Sequence, residues 1–210
     1  MTRGQINSYI IAVKIIGITG GIGSGKSVVS RMIRERGFPV VDLDELAHEI
    51  IEPGKPAYEK ILSRFGKDIL DPERRIERRR LGAVVFRDAE ARKELEQITH
   101  PEISRLLVEK IEEYRSSGNQ LLFLEIPLLF ETGMDSWIRP VIAVKCPKGV
   151  CLQRLSERDG FSASESQSRM EAQMDPEEKA RRAEFVIDNS GGLDKTGSQV
   201  EKVIRALMKE

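Results

Sequence analysis

GGIGSGKS, residues Gly20–Ser27, follows directly on VKIIGIT, the β-branched apolar run Val13–Thr19. With four glycines and a single apolar side chain it cannot continue a buried strand. It fits G-x-x-x-x-G-K-[ST], with Gly20 first, Gly25 sixth, then Lys26 and Ser27. Glycine reaches backbone angles closed to other residues and lets a bulky anion approach the main chain. The amides of Gly21, Gly23, Ser24, Gly25, Lys26, Ser27 and Val28 then form a nest for phosphate oxygens. The helix that follows, beginning VVSRMIRERG, adds its positive dipole end. Lys26 reaches the β- and γ-phosphates, and the Ser27 hydroxyl ligates Mg²⁺. The expectation is a nucleotide phosphate site with Mg²⁺.

The totals limit what surrounds that site. A chain of 210 residues supports one substantial core with a small insertion. It is 40% hydrophobic and 32% charged, with 34 basic and 34 acidic residues. Zero net charge argues against a general nucleic-acid binder. No apolar run approaches the roughly 20 residues of a membrane span. The opening MTRGQINSYIIAVK lacks the apolar core and cleavage site of a signal peptide. Met1–Ser8 reads as a short, poorly ordered extension, and the expected location is the cytoplasm. Cys146 and Cys151 lack companion ligands at metal spacing. They read as two small thiols in a reducing compartment, with no disulfide between them.

Short apolar runs recur at Val13–Thr19, Phe38–Val41, Leu121–Ile126, Val141–Lys145 and Phe185–Ile187. Apolar on both faces and separated by helical stretches, they predict an α/β fold with a covered, parallel, five-stranded sheet. Residues 48–117 contain no convincing strand and form an inserted helical segment. Residues 147–182, with seven basic and seven acidic residues in Lys148–Arg182, read as a solvated, mobile helical flap. The core is then 9–47, 118–146 and 183–210.

FPVVDLDELAHEI sets Asp42 and Asp44 just past the second strand, where ligands of open parallel sheets bind. One carboxylate is suited to take a proton from an attacking hydroxyl, and the other to hold Mg²⁺ through water. The alternative for either is to cap the helix that starts near Glu45. Glu125 ends the third strand, either organising Mg²⁺ or making a structural hydrogen bond. No N/T-K-x-D tetrapeptide of a GTPase occurs in the chain. The helical insert and the flap favour phosphoryl transfer to a small molecule. A kinase of another small hydroxyl acceptor, or a nucleotide-dependent regulator, remains an alternative.

GITGGIGSGKS, VVDLDELAHEI, ITHPEI, LEIPLLFE, QRLSERDG and VIDNSG follow one another in the order and spacing of the dephospho-coenzyme A kinases, which the chain resembles from about Lys14 to Leu207. The resemblance implies a P-loop kinase core, an inserted domain for the CoA substrate and a lid. It implies transfer of the γ-phosphate of ATP to the ribose 3′-hydroxyl of dephospho-CoA. Asp44 falls on the family's catalytic carboxylate, and Arg154 and Arg158 on its lid arginines, with Arg169 a weaker candidate. His100 falls on the HP pair, Asn189 on the adenine pocket, and Arg78, within ERRIERRR, on a substrate-facing arginine. Each has a plain counterpart: a packed helix-start histidine, a tight turn, a solvated basic face. Val28 replaces the family's usual Thr and keeps only its backbone contact. The expected partner is dephospho-CoA as a small-molecule substrate, with no nucleic acid and no membrane, and the chain is expected to be a monomer or weak homo-oligomer.

Overall fold

A computed structural model describes residues 13–159 and 162–209. The extension Met1–Ser8 lies outside the described residues, as do 9–12. The chain divides into two compact units, the first of the flanking segments, up to Val41 and from Tyr114, and the second of Asp42–Glu113.

The first unit carries the sheet. β1 (Lys14–Thr19), β2 (Val40–Asp42), β3 (Leu121–Glu125), β4 (Val141–Lys145) and β5 (Phe185–Asp188) form one five-stranded parallel sheet in the order β2-β3-β1-β4-β5. Lys14 pairs with Leu121 and Gly17 with Val141, so β1 lies between β3 and β4. The chain leaves β1 towards β2 and leaves β3 towards β4, so the crossovers diverge where β1 and β3 adjoin. Open parallel sheets bind ligands at such a point. Each of the five apolar runs is a strand, within two residues of its expected ends.

The strands are nearly continuous in apolar residues because both faces are buried, with α1 and α9 over one of them. α1 (Lys26–Arg34) buries Val29, Met32 and Ile33, and α9 (Leu193–Leu207) buries Val200, Val203, Ile204 and Leu207. These side chains join Ile16, Ile18, Phe123, Ile142, Val144 and Ile187 in one core. Phe123, fully buried on β3, meets Phe38 edge-to-face at 6.1 Å between centroids. Ser30 of α1 donates to the Glu125 carboxylate at 2.6 Å, a buried polar tie between α1 and β3.

After β4 come α6 (Lys148–Asp159), α7 (Ala163–Glu171) and α8 (Pro176–Arg182). Ser162 and Glu165 form a capping box at α7, and Asp175 caps α8 ahead of Pro176.

The second unit is helical, with one isolated antiparallel bridge between Leu70 and Ile76. Its elements are α2 (Leu43–Glu49), α3 (Pro56–Phe65), α4 (Arg78–Arg87) and the body of α5 (Ala89–Ser116). Tyr58, Ile61, Ile69, Ile76 and Leu81 form a small core of their own. Pro101 lies inside α5, so His100 is an exposed mid-helix residue, not the helix-start histidine of the sequence reading. No described helix is long and apolar enough to cross a membrane.

The fold depends most on the centre of the sheet. Phe123→Ala is expected to cost about 3–5 kcal/mol, seen as a lower urea midpoint with an unchanged slope. A loss below 1 kcal/mol would mean that β3 is not the packed centre described above.

Candidate active site

Gly25 is the N-cap of α1 and stands in the left-handed region, with φ 87° and ψ 32°. A Cβ there would meet Asn189 Nδ2 at 2.0 Å and Arg154 Nη1 at 3.3 Å. Strain and space therefore both demand glycine at the turn from loop into helix. The helix start has no side-chain cap, which leaves its N–H groups facing outward from α1.

The loop carbonyls are taken one by one. Lys26 Nζ donates to Gly20 O at 2.9 Å and to Gly21 O at 3.3 Å. Asn189 Nδ2 donates to Ser24 O at 2.9 Å. Arg154 Nη1 approaches Gly23 O at 3.5 Å and Ser24 O at 3.4 Å, while its Nη2 donates to Asn189 O at 3.1 Å. Gly25 O accepts from Val28 N at 3.0 Å. Among the described residues no hydrogen bond engages the N–H of Gly23 or Gly25. With the carbonyls of Gly20, Gly21, Gly23, Ser24 and Gly25 occupied and these amides left over, the loop is chemically biased towards an anion.

Asn189 is 2% exposed, and its Oδ1 accepts from the buried Thr196 hydroxyl at 3.0 Å. Both ends of its amide are committed, so the side chain expected at the base instead supports the loop from behind. Arg154 braces the same carbonyls from α6, whereas Arg158 is exposed in the last turn of that helix and Arg169 in the last turn of α7. Ser24 is buried with an unpartnered hydroxyl, and Ser27, the second residue of α1, is exposed. Val28 is half-buried against the core. Glu125, 6% exposed, spends its carboxylate on Ser30.

Asp42 ends β2 and caps α2: its Oδ1 accepts from Asp44 N at 2.8 Å. Of the two capping alternatives, Asp42 is thus the cap, and Asp44 stands exposed in the first turn. In the helical unit, Arg78 opens α4 with its side chain exposed, and Arg80 donates to Leu70 O at 2.7 Å. Within the arginine cluster Arg80 thus makes structural contacts, to the Asp68 and Leu70 carbonyls and to Glu77, while Arg78 is exposed.

Two residues at the site have no precedent in the sequence reading. Gln173, between α7 and α8, accepts the Ile22 N–H through Oε1 at 2.9 Å, holding the front of the loop. Lys179 of α8 is fully buried, donating to Pro127 O at 2.7 Å and pairing with Glu131 at 2.8 Å. Pro127 O also accepts from Thr19, the last residue of β1, at 3.1 Å. Glu131 further accepts from Met174 N at 2.9 Å. Residues 173–182, read as part of a solvated flap, are thus tied to the sheet. Nothing in the composition of seven bases and seven acids singles out Lys179. Burial raises the Glu131 carboxyl, but Lys179 and the Met174 amide outweigh it and hold it below its ordinary 4.5.

A family model described as dephospho-CoA kinase matches residues 14–195. The chain belongs to the dephospho-CoA kinase family. A dephospho-CoA kinase of Carboxydothermus hydrogenoformans is 44% identical over 93% of this chain and 95% of its own length. A solved Thermus thermophilus protein is 39% identical with a TM-score of 0.82, over 92% of this chain and 97% of that one. The solved dephospho-CoA kinase of Campylobacter jejuni is 32% identical with a TM-score of 0.64, over 95% of this chain and 100% of that one. Dephospho-CoA kinases are ATP-dependent enzymes of the last step of coenzyme A synthesis, and this chain is an enzyme of that family.

Two outcomes test the support of the loop. Asn189→Ala leaves Ser24 O short of a donor and should lose about 1–3 kcal/mol of stability, with weaker ATP binding in titration calorimetry. Glu131→Gln should lose about 3 kcal/mol at pH 7, at the low end for a buried pair because the Glu131 side chain keeps 21% exposure. Its folded-state carboxyl lies below 4.5, so its stabilisation is present above that pH and fades as pH falls further. Unfolding curves of the variant and the parent should accordingly converge in acid.

Proposed function

We propose that the chain transfers the γ-phosphate of ATP to the ribose 3′-hydroxyl of dephospho-CoA, with Asp44 as the base. The observation that supports this most is the loop itself: its carbonyls are satisfied by Lys26, Asn189 and Arg154, while the Gly23 and Gly25 amides are left for phosphate oxygens.

Transfer of a phosphoryl group asks mainly for positioning and for charge neutralisation. The loop from Gly21 to Val28 seats the triphosphate, with the Gly23 and Gly25 amides donating to its oxygens, and Lys26 turns from the Gly20 and Gly21 carbonyls to the β- and γ-oxygens. Arg158 neutralises charge on the transferring group, with Arg154 holding the loop that presents it. Asp44 orients the acceptor hydroxyl and takes its proton as the new P–O bond forms. Its helix is set in place by the Asp42 cap, so the two aspartates divide structure and chemistry between them. Asn189 supports the adenine end through the backbone of its turn. Arg78 and His100, both exposed in the helical unit, are suited to the anionic part of dephospho-CoA.

Among the described residues no cluster of three His, Cys, Asp or Glu side chains could hold a metal alone. That fits Mg²⁺, which binds through one or two protein groups plus phosphate oxygens and retained waters. Ser27 would be its direct protein ligand, with Asp42 and Glu125 reaching it only through water. Bound there, Mg²⁺ would neutralise β- and γ-phosphate charge. The enzyme acts as a monomer or weak homo-oligomer in the cytoplasm.

An ADP-release assay with ATP, Mg²⁺ and dephospho-CoA, run beside adenosine, AMP and shikimate, tests both halves. Turnover is expected with dephospho-CoA alone, and Asp44→Asn should lower kcat by about 10²- to 10⁴-fold with ATP affinity retained. Equal turnover by Asp44→Asn would remove the base. Turnover with another acceptor would overturn the substrate, and ATP binding without acceptor-stimulated release would point to a regulator.

A further inference from the structure

The chain has two cysteines, expected from sequence to be small reduced thiols with no disulfide between them. The fold brings them together. Pro147 ends the run of β4, and Cys151 N donates to Pro147 O at 3.1 Å as α6 begins. That first turn swings Cys151 back over Cys146, and the two Sγ atoms stand 2.6 Å apart. The two sulfurs are thus in direct contact, so that oxidation of one brings it within reach of the other.

The pair lies against the phosphate loop. A Cβ on Gly23 would meet Cys151 O at 2.8 Å and Cys151 Cα at 3.1 Å, so the loop packs directly on the Cys151 backbone. Cys146 Sγ contacts Gly23 O at 3.8 Å and receives Arg154 Nη1 at 3.8 Å. Arg154, one turn further along α6, holds the carbonyls of Gly23 and Ser24. Movement at either sulfur therefore reaches the loop through two routes, backbone packing and the guanidinium.

We propose that Cys146 and Cys151 are a peroxide-responsive dithiol whose closure to a disulfide weakens ATP binding at the adjoining loop. The inference rests on the loop being the ATP site. Cys146 is half-buried and Cys151 is 3% exposed, so the oxidant meets Cys146 first. Burial, with Cys146 beside it, pushes the Cys151 thiol up to about 12, which keeps Cys151 protonated while Cys146 reacts. The Cys146 thiolate attacks one oxygen of hydrogen peroxide, the O–O bond breaks, and the released hydroxide takes a proton to become water. Cys151 sulfur then attacks the Cys146 sulfenic acid, the S–O bond breaks, and the hydroxyl leaves as water with the Cys151 proton. Two electrons pass from the dithiol to the peroxide, and a thiol reductant reverses the step.

The test treats the reduced protein with hydrogen peroxide and follows thiols, mass and ATP affinity in parallel. Expected are a fall from two alkylatable thiols to none, a monomer lighter by two hydrogen atoms, and ATP affinity lower by roughly 5- to 150-fold, restored by dithiothreitol. Cys146→Ser and Cys151→Ser, each compared with its own untreated form, should keep their affinity under peroxide. Persistent thiols, cross-linked dimers or sulfinic acid in place of the intramolecular bond would overturn the proposal. So would a disulfide that leaves affinity unchanged, or an equal loss in both serine variants. Failure of the reduced protein to bind ATP at all would instead refute the loop reading, and the thiol count would still report on the pair.

Discussion

A loop that offers its amides to an anion must dispose of its carbonyls elsewhere, and buried carbonyls without donors are costly. Much of this molecule follows from that constraint. The donors for Gly23 and Ser24 come from Asn189, after β5, and from Arg154, on α6. Those two residues lie 165 and 130 positions from Ser24, so the loop cannot hold its shape until β4 and β5 have joined the sheet. Thr196 of α9 then fixes the Asn189 amide, which carries the same requirement into the last helix.

The second support runs through Pro127. Its carbonyl gathers Thr19 from the end of β1 and Lys179 from α8, and Lys179 reaches on to Glu131. A fully buried ammonium is tolerable only because a carbonyl and a carboxylate meet it together. The arrangement ties the connection after β3 to the segment that also carries Gln173, whose side chain holds the Ile22 amide. Positioning at the loop and anchoring of α8 are therefore one network.

The two aspartates after β2 show how a local rule and a chemical role are divided. An Asp at a helix start satisfies an orphan amide, and Asp42 does so for Asp44 N. Once that carboxylate is committed, the neighbour two residues on is left exposed in the first turn. Asn189 is the contrasting case. An Asn-Ser-Gly-Gly stretch after a strand reads equally as a base contact or a turn, and only the far side of the phosphate loop decides where its amide goes.

The residues by themselves determined the five strands, the helical stretch between β2 and β3, and the phosphate loop. Each is written in local chemistry: β-branched apolar runs, helical periodicity, and glycines followed by Lys26 and Ser27. Periodicity cannot report what faces a side chain from a distant segment. Lys179 looks like any basic residue of an amphipathic stretch, Gln173 like any polar loop residue, and His100 like a helix start because a proline follows it. Cys146 and Cys151 look like two unrelated thiols until a helical turn after Pro147 brings their sulfurs together. Tertiary structure alone decided these roles, because burial, hydrogen-bond partners and short approaches depend on which strands pair and on what the paired strands bring alongside.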